Sequence, residues 1–320
     1  MSTKIYLAPM EGITTYIYRN ALAKYYGGID KYYTPFLTAS HLKGRELRDV
    51  HPDNNKDINL VPQILTNDSE LFLQISEQLI ALGYKEININ LGCPSGTVTS
   101  KGRGSGFLNY PDKLDAFLDE ISNGLEKLGN GIKLSVKTRI GYEFLSEWDD
   151  ILEVYKKYHF SELIIHPRLR EEFYTGEIHM DEFLKAFNCI SNNTTIVYNG
   201  DIVDKTSFSN RLEHITVYEQ DTPVMIGRGV IMNPELPIKL KEVSDENNAS
   251  VKTLKSFLNE ITENYCKEMA NEKQVVMKMK ELWTYLSMGL SLDKKQLKEI
   301  HKTNKLSEYK SVQQMILSGI

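Results

Sequence analysis

Residues 88–108 read NINLGCPSGTVTSKGRGSGFL and place a cysteine, Cys93, between a glycine and a proline directly behind a short apolar run. Glu86-Ile87-Asn88-Ile89-Asn90 alternates polar and apolar residues as a strand does, and Gly92 with Pro94 stops the strand sharply. The thiol is therefore expected at the C-terminal end of a strand, on a loop, where folds built from parallel strands keep their ligand-facing groups. The alternatives for such a cysteine are a small buried residue or a flexible surface turn. Five glycines, two basic side chains and two asparagines in these 21 residues suit a backbone that approaches a ligand closely. The segment is not a phosphate-binding P-loop, because it lacks the Gly-Lys-Ser/Thr ending. Nor is it a dinucleotide fingerprint, because Gly102-Arg103-Gly104-Ser105-Gly106 does not directly follow a strand.

Short apolar runs alternate with amphipathic segments on both sides of this loop. Strands are expected at Ile5–Met10, Lys31–Phe36, Asn59–Leu65, Glu86–Asn90, Lys133–Ile140, Glu162–His166, Thr195–Asn199 and Pro223–Gly227. Between two of them, Leu71, Phe72, Ile75, Leu79 and Leu82 fall at helical spacing behind Asp68 and Ser69, either of which can cap the helix start. Eight strands separated by helices predict an α/β fold, a (β/α)8 TIM barrel, rather than a doubly wound sheet. About 250 residues suffice for such a barrel. The chain has 320, so residues 1–240 are expected to form the barrel and 245–320 a small C-terminal helical bundle. Asp245-Glu246-Asn247-Asn248 is the expected linker. In the bundle, Leu254, Phe257, Leu258, Ile261 and Tyr265 form one apolar face, and Met277, Leu282, Trp283, Tyr285 and Leu286 a second.

Three widely spaced cysteines, 93, 189 and 266, give no disulfide framework, and no targeting segment or membrane-length apolar run is visible. The cytoplasm is the expected compartment, and no membrane partner, metal or second subunit is expected. A net charge of −5 argues against non-specific nucleic-acid binding, but the charge is unevenly spread. From Asp245 onward there are twelve lysines against ten acidic residues, so a polyanion would meet the C-terminal part most favourably, with Lys278 and Lys280 as the nominated contacts.

Asn90-x-Gly92-Cys93-Pro94, followed by Val98 and by Gly106-Phe107-Leu108 with Pro111 beyond, resembles the signature of the tRNA-dihydrouridine synthases. The likeness continues in order through Leu7-Ala8-Pro9-Met10-Glu11-Gly12, Val136-Lys137-Thr138-Arg139-Ile140-Gly141, His166-x-Arg168-x-Arg170-x3-Tyr174-x-Gly176, Asn199-Gly200-Asp201 and Gly227-Arg228-Gly229-x3-Asn233-Pro234. The resemblance implies a barrel that binds flavin mononucleotide (FMN) and reduces the C5–C6 double bond of a uridine in tRNA, with NADPH or NADH as reductant. It implies a hydride delivered from the flavin to C6 and a proton delivered from Cys93 to C5.

Each motif falls at the C-terminal end of an expected strand, where such barrels keep their active sites. Asn199, Gly200, Asp201, Gly227 and Arg228, after strands seven and eight, are expected to clamp the FMN phosphate. Ala8, Pro9 and Met10 are expected against the flavin ring, Gln63 at its pyrimidine edge, Lys137 as a positive charge beside it, and His166 nearby. Asn90, Arg139, Arg170 and Tyr174 are the expected grips on a uridine turned out of the RNA stack. The chain departs from its relatives at His166-Pro167-Arg168-Leu169, where they continue His-Gly-Arg-Thr; proline removes an N–H and leucine a hydroxyl that a phosphate would use. The alternative functions are an FMN-dependent reductase of a free pyrimidine or other small molecule, and a non-catalytic RNA-binding relative. The basic helical end speaks against the first, and the intact Cys93, Lys137 and Gly-Arg-Gly set against the second.

Overall fold

The computed structural model describes residues 3–129, 131–190, 193–215, 222–241 and 251–319. Its strands are β1 (Ile5–Leu7), β2 (Lys31–Tyr33), β3 (Leu60–Val61), β4 (Gln63–Ile64), β5 (Glu86–Leu91), β6 (Lys133–Arg139), β7 (Glu162–His166), β8 (Thr195–Asn199) and β9 (Val224–Ile226). All pair in parallel in the order β3-β2-β1-β9-β8-β7-β6-β5-β4. The two ends of that order, β3 and β4, are halves of the expected third strand, split at Pro62, which has no N–H to give to a ladder. The sheet therefore comes round on itself as a nearly closed TIM barrel, as expected.

Prolines also account for the strands that stop early. β1 ends at Leu7 before Pro9, β2 at Tyr33 before Pro35, and β9 begins after Pro223. The fourth expected segment, β5 here, instead runs one residue further, to Leu91. The helix Ser69–Ala81 starts as expected, with the Leu71 N–H donating to Oδ1 of Asp68 at 3.0 Å.

Alternation along the strands sorts side chains between two layers. Ile5, Leu7, Ile87, Ile89, Leu163 and Ile165 face the surrounding helices in the main core, while Tyr6, Ala8, Tyr33, Ile164, Val197 and Met225 fill the barrel. At the N-terminal ends of the strands the buried Glu162 accepts from Tyr6 Oη (2.8 Å), Tyr33 Oη (2.7 Å) and Lys31 Nζ (2.7 Å), and Lys31 also pairs with Glu86 at 2.9 Å. This charged plug closes the base of the barrel and leaves its upper end for a ligand.

The C-terminal part forms the helices Val251–Glu268, Glu272–Gly289, Lys294–Lys302 and Leu306–Leu317. Leu254, Phe257, Leu258, Ile261 and Tyr265 are all buried, as the periodicity predicts. Of the second expected face, Leu282, Trp283 and Leu286 are buried, whereas Met277 is 54% exposed and Tyr285 only half-buried. The helices pack firmly on the barrel. Phe257 sits edge-on to Tyr18 and Tyr26 at 5.7 and 5.3 Å, Tyr265 Oη lies 3.3 Å from Thr15 Oγ1, and Lys278 Nζ donates to the Gly12 carbonyl at 3.1 Å. Residues Asp245-Glu246-Asn247-Asn248, the expected linker, lie outside the described residues.

Candidate functional site

A cavity of about 830 Å³ opens at the C-terminal ends of the strands, towards the upper end of the usual range for ligand pockets. Of the residues expected at the site, Ala8, Pro9, Met10, Gln63, Asn90, Cys93, Lys137, Arg139, His166, Tyr174, Asn199, Gly200, Asp201, Gly227 and Arg228 line it. Arg170 does not.

The polar faces of β4, β5 and β6 point inward and form one chain of hydrogen bonds. Asn88 Nδ2 donates to Ser135 Oγ (3.0 Å), Gln63 Nε2 to Asn88 Oδ1 (2.8 Å), and Asn90 Nδ2 to Gln63 Oε1 (2.7 Å). Asn90 Oδ1 then accepts the N–H groups of both Gly92 (3.0 Å) and Cys93 (2.9 Å). Its carbonyl oxygen is thus spent on the turn that carries the thiol, the usual way an asparagine fixes a loop. Across the loop, Ser105 donates to the Cys93 carbonyl from both its N–H (3.1 Å) and its Oγ (2.9 Å).

Gly104 and Gly106 serve the loop itself, whereas Gly92 lines the cavity. A Cβ on Gly104 would lie 2.8 Å from the Cys93 carbonyl oxygen, and one on Gly106 would lie 2.7 Å from that of Thr99. Neither residue lines the cavity. Burial pushes the Cys93 thiol up, against the opposing pull of a backbone hydrogen bond from Ser95 and of the nearby Lys137 and Arg139. The group is held as a thiol at neutral pH.

Lys137, at the middle of β6, touches solvent only through the cavity, and its ammonium has no acceptor among the described residues. Burial and the neighbouring Arg139 guanidinium lower it to about 8. His166, which ends β7, is buried and surrounded by Arg139, Lys137, Arg168 and Arg228; burial first, then these charges, keep its imidazole neutral. At the rim, Asp201 bridges two guanidiniums, with Oδ2 2.6 Å from Arg168 and Oδ1 2.5 Å from Arg228. Burial alone would raise that carboxyl, but the two arginines outweigh it and hold the group ionised. Asp201 adopts a left-handed backbone, φ +34°, which aspartate tolerates better than most residues.

Arg139 is 1% exposed and donates to the carbonyls of Gly92 (3.0 Å), Leu169 (2.7 Å) and Phe173 (2.6 Å). It ties the loop after β5 to the loop after β7, with three of its five N–H groups committed to backbone carbonyls. Arg170, unlike Arg139, does not line the cavity. Its guanidinium lies between the rings of Tyr142 (5.1 Å) and Phe173 (5.2 Å), pairs with Glu171 and donates to Thr99 Oγ1 at 3.3 Å. The expectation that Arg170 grips substrate is therefore not met by this geometry, because a long cation found local partners that spacing does not reveal. Tyr174 is in place, stacked on His166 at 6.3 Å with Arg139 and Arg228 over its ring at 5.5 and 5.0 Å.

The unusual Pro167 and Leu169 lie off the cavity. Leu169 is buried against the core and its N–H donates to Glu172 at 2.6 Å, while the Pro167 carbonyl accepts from His179 N–H at 3.0 Å. Neither residue of the departure is part of the cavity wall. Lys278, nominated from sequence as an RNA contact, is instead a brace between helix and barrel, bound to Gly12 and to Glu281 at 2.8 Å.

The sequence reading missed Glu11, Phe36, Met232, Tyr285 and Met288, which also line the cavity. The last two come from the C-terminal helices, and their spacing of three residues was the available signal. Among the described residues no group of His, Cys, Asp and Glu side chains could hold a metal ion, and no helix is long and apolar enough to cross a membrane. The cavity is instead rich in donors. The ammonium of Lys137, which faces the cavity without an acceptor among the described residues, calls for a ligand that brings acceptors and negative charge. A Cβ on Gly227 would lie 3.3 Å from Ala8 Cβ and 3.6 Å from Met10 Sδ, so the bare backbone there keeps the cavity open. A flat ring with carbonyl edges and a phosphate fits this set.

Comparison with known proteins agrees. A "Probable tRNA-dihydrouridine synthase" of Staphylococcus aureus strain Mu50 is 33% identical over 235 residues, 71% of this chain and 68% of that protein. Its namesake in Staphylococcus epidermidis strain ATCC 12228 is 32% identical over 235 residues, 71% of this chain and 69% of that protein. "Probable tRNA-dihydrouridine synthase 2" of Bacillus subtilis strain 168 is 29% identical over 242 residues, again 71% and 69%. The family model for dihydrouridine synthase (Dus) matches residues 6–317, taking in the barrel, its cavity and the C-terminal helices, and on that evidence the chain belongs to the dihydrouridine synthase family of oxidoreductases.

Proposed function

We propose that the protein is a tRNA-dihydrouridine synthase that uses FMN and a nicotinamide reductant, NADPH or NADH, to reduce the C5–C6 double bond of a uridine in tRNA. The observation that carries this reading is a protonated thiol, Cys93, and an ammonium without a partner among the described residues, Lys137, in one cavity beside the Arg168-Asp201-Arg228 cluster. When bound, the flavin supplies the hydride that uracil C6 receives.

The remaining work falls to the chain. Arg228, with Gly200 and Gly227 beside it, holds the phosphate through charge-assisted bonds. Gln63 offers an amide to the ring edge, and Lys137 places a positive charge where the reduced ring carries a negative one. Cys93 gives the proton of its Sγ to C5 as C6 gains the hydride, and the thiolate left behind recovers a proton from water. Asn90 and Ser105 hold the backbone of Cys93 from its two sides, so the thiol is aimed before substrate arrives. A stacked uridine cannot reach such a cavity, so the base is turned out of the RNA, and residues 245–320 form the domain on which the tRNA rests.

The test divides the reaction in two. Cys93→Ala protein is reduced anaerobically, mixed with unmodified tRNA, and followed for flavin reoxidation and dihydrouridine together. Flavin binding and reduction by NADPH should survive, while dihydrouridine formation slows by about 10² to 10⁴. Normal dihydrouridine formation would remove Cys93 from proton transfer. Loss of flavin would make it a structural residue.

A further inference from the structure

The cavity wall is not built by the barrel alone. Tyr285 and Met288 reach it from the Glu272–Gly289 helix, three residues apart and so on one face of that helix. Gly289 sets how near this face comes. A Cβ at position 289 would lie 1.9 Å from the Met232 carbonyl oxygen, so only glycine lets the helix backbone rest on the end of the Arg228–Met232 helix. The aromatic surface is thus fixed to the element that follows the proposed phosphate clamp.

The three cavity aromatics Phe36, Tyr174 and Tyr285 are not equally free. Tyr174 is committed to the stack on His166 and to the two guanidiniums over its ring. Tyr285 makes neither a hydrogen bond nor a ring contact among the described residues, although it is half-buried and its neighbour Met288 is 58% exposed. A tyrosine that is half out of water usually finds a partner for its hydroxyl or a ring for its face. Here both remain available at the mouth of the cavity.

We propose that Tyr285 is the stacking surface for the substrate nucleotide, taking the face of the extruded uridine or of its immediate neighbour as it enters the cavity, with Met288 filling in beside it. The inference rests on the functional reading above. A base drawn out of an RNA stack loses its stacking partners, and an aromatic side chain replaces them without regard to sequence. The exposed thioether of Met288 suits the edge of such a base, being polarizable and conformationally adaptable. The C-terminal helices would then contribute to the site itself as well as to RNA docking, and the grip on the nucleotide would be coupled to the seat of the helices on the barrel.

The experiment uses the full-length, flavin-loaded protein with tRNA lacking dihydrouridine, and compares Tyr285→Ala and Tyr285→Phe with the unsubstituted chain. In Tyr285→Ala, flavin occupancy and the rate of flavin reduction by NADPH should hold within about twofold, while kcat/KM for tRNA falls roughly 10- to 100-fold, the scale of one lost base stack. Tyr285→Phe keeps the ring and should recover to within about threefold, as stacking requires. Equal tRNA turnover by Tyr285→Ala and the unsubstituted protein overturns the proposal. So does a Tyr285→Phe defect as deep as that of Tyr285→Ala, which would assign the role to the hydroxyl, and so does loss of flavin in Tyr285→Ala, which would make the residue structural. If the unsubstituted protein reduces its flavin but leaves tRNA unchanged, the functional reading fails and this inference falls with it.

Discussion

Replacing Lys137 by methionine should stabilise the flavin-free protein while impairing the enzyme. The ammonium lies largely desolvated in the cavity without an acceptor among the described residues, and its pKa falls from 10.5 to about 8. At about 1.36 kcal/mol for each pKa unit, holding it charged in the fold costs at most about 3.5 kcal/mol. Water in the cavity offsets part of this, so the expected gain for Lys137→Met is about 1 to 3 kcal/mol at pH 7. The sign of the pH dependence follows from linkage. Lys137 binds its proton more weakly folded than unfolded, so between about pH 8 and 10.5 the unfolded chain holds more protons, and the stability of the unsubstituted protein rises with pH in that window. Below about pH 8 both states are protonated and the penalty is constant.

The difference between variant and unsubstituted protein should therefore be flat up to about pH 8 and close as the pH climbs towards 10.5. Urea unfolding of flavin-stripped samples from pH 6 upward reads this, and the subtraction removes the titrating groups that do not interact with Lys137; carrying Cys93→Ala in both proteins removes the one thiol that does. Turnover of the flavin-loaded variant should fall in the same samples. A variant less stable than its parent at pH 7, or a stability difference that ignores pH, would show that Lys137 is not a desolvated, unpaired charge.

Three further outcomes follow from the packing and the charges. Gly289→Ala forces a methyl group into the Met232 carbonyl; it should lower stability by about 1 to 3 kcal/mol, read as a drop in melting temperature. Replacing Lys294, Lys295 and Lys298 together by glutamine, on a helix whose lysines lack the barrel contact of Lys278, should weaken tRNA binding and make its affinity less steep in salt; a filter-binding salt titration measures both. Asn90→Ala leaves the Gly92 and Cys93 N–H groups without their acceptor; it should cost about 1 to 3 kcal/mol of stability and slow dihydrouridine formation more than flavin reduction, as stopped-flow absorbance would separate.

The order of strands, the placing of Cys93, His166 and Arg228 at their upper ends and that of Lys137 within β6 were legible in the sequence because they depend on local alternation and on turn residues, which act over a few positions. Strand ends were less so. Pro9, Pro35 and Pro62 were visible, yet whether a proline bends a strand or ends it depends on the neighbouring ladder. Partners of long charged side chains were not legible at all. Arg139 binds carbonyls 30 or more residues away in sequence, Lys278 binds one 266 residues away, and no periodicity encodes such pairs. Tyr285 shows a subtler failure. Its spacing correctly identified an apolar helix face, but not that one edge of the face would look into the cavity.

The chain of amides from Ser135 through Asn88, Gln63 and Asn90 to the cysteine loop bears on how that loop moves. Loop amides at the mouth of a barrel ordinarily exchange their hydrogens with water almost freely. Here the N–H groups of Gly92 and Cys93 end a buried relay that begins in the middle of β6, so releasing them means breaking bonds that run into the barrel. Their exchange should be as slow as that of the strand amides of β5, while nearby loop positions such as Phe144 and Leu145, both exposed, exchange fast. The thiol would then stand still while the rim around it fluctuates, and an incoming nucleotide would adapt to the cysteine.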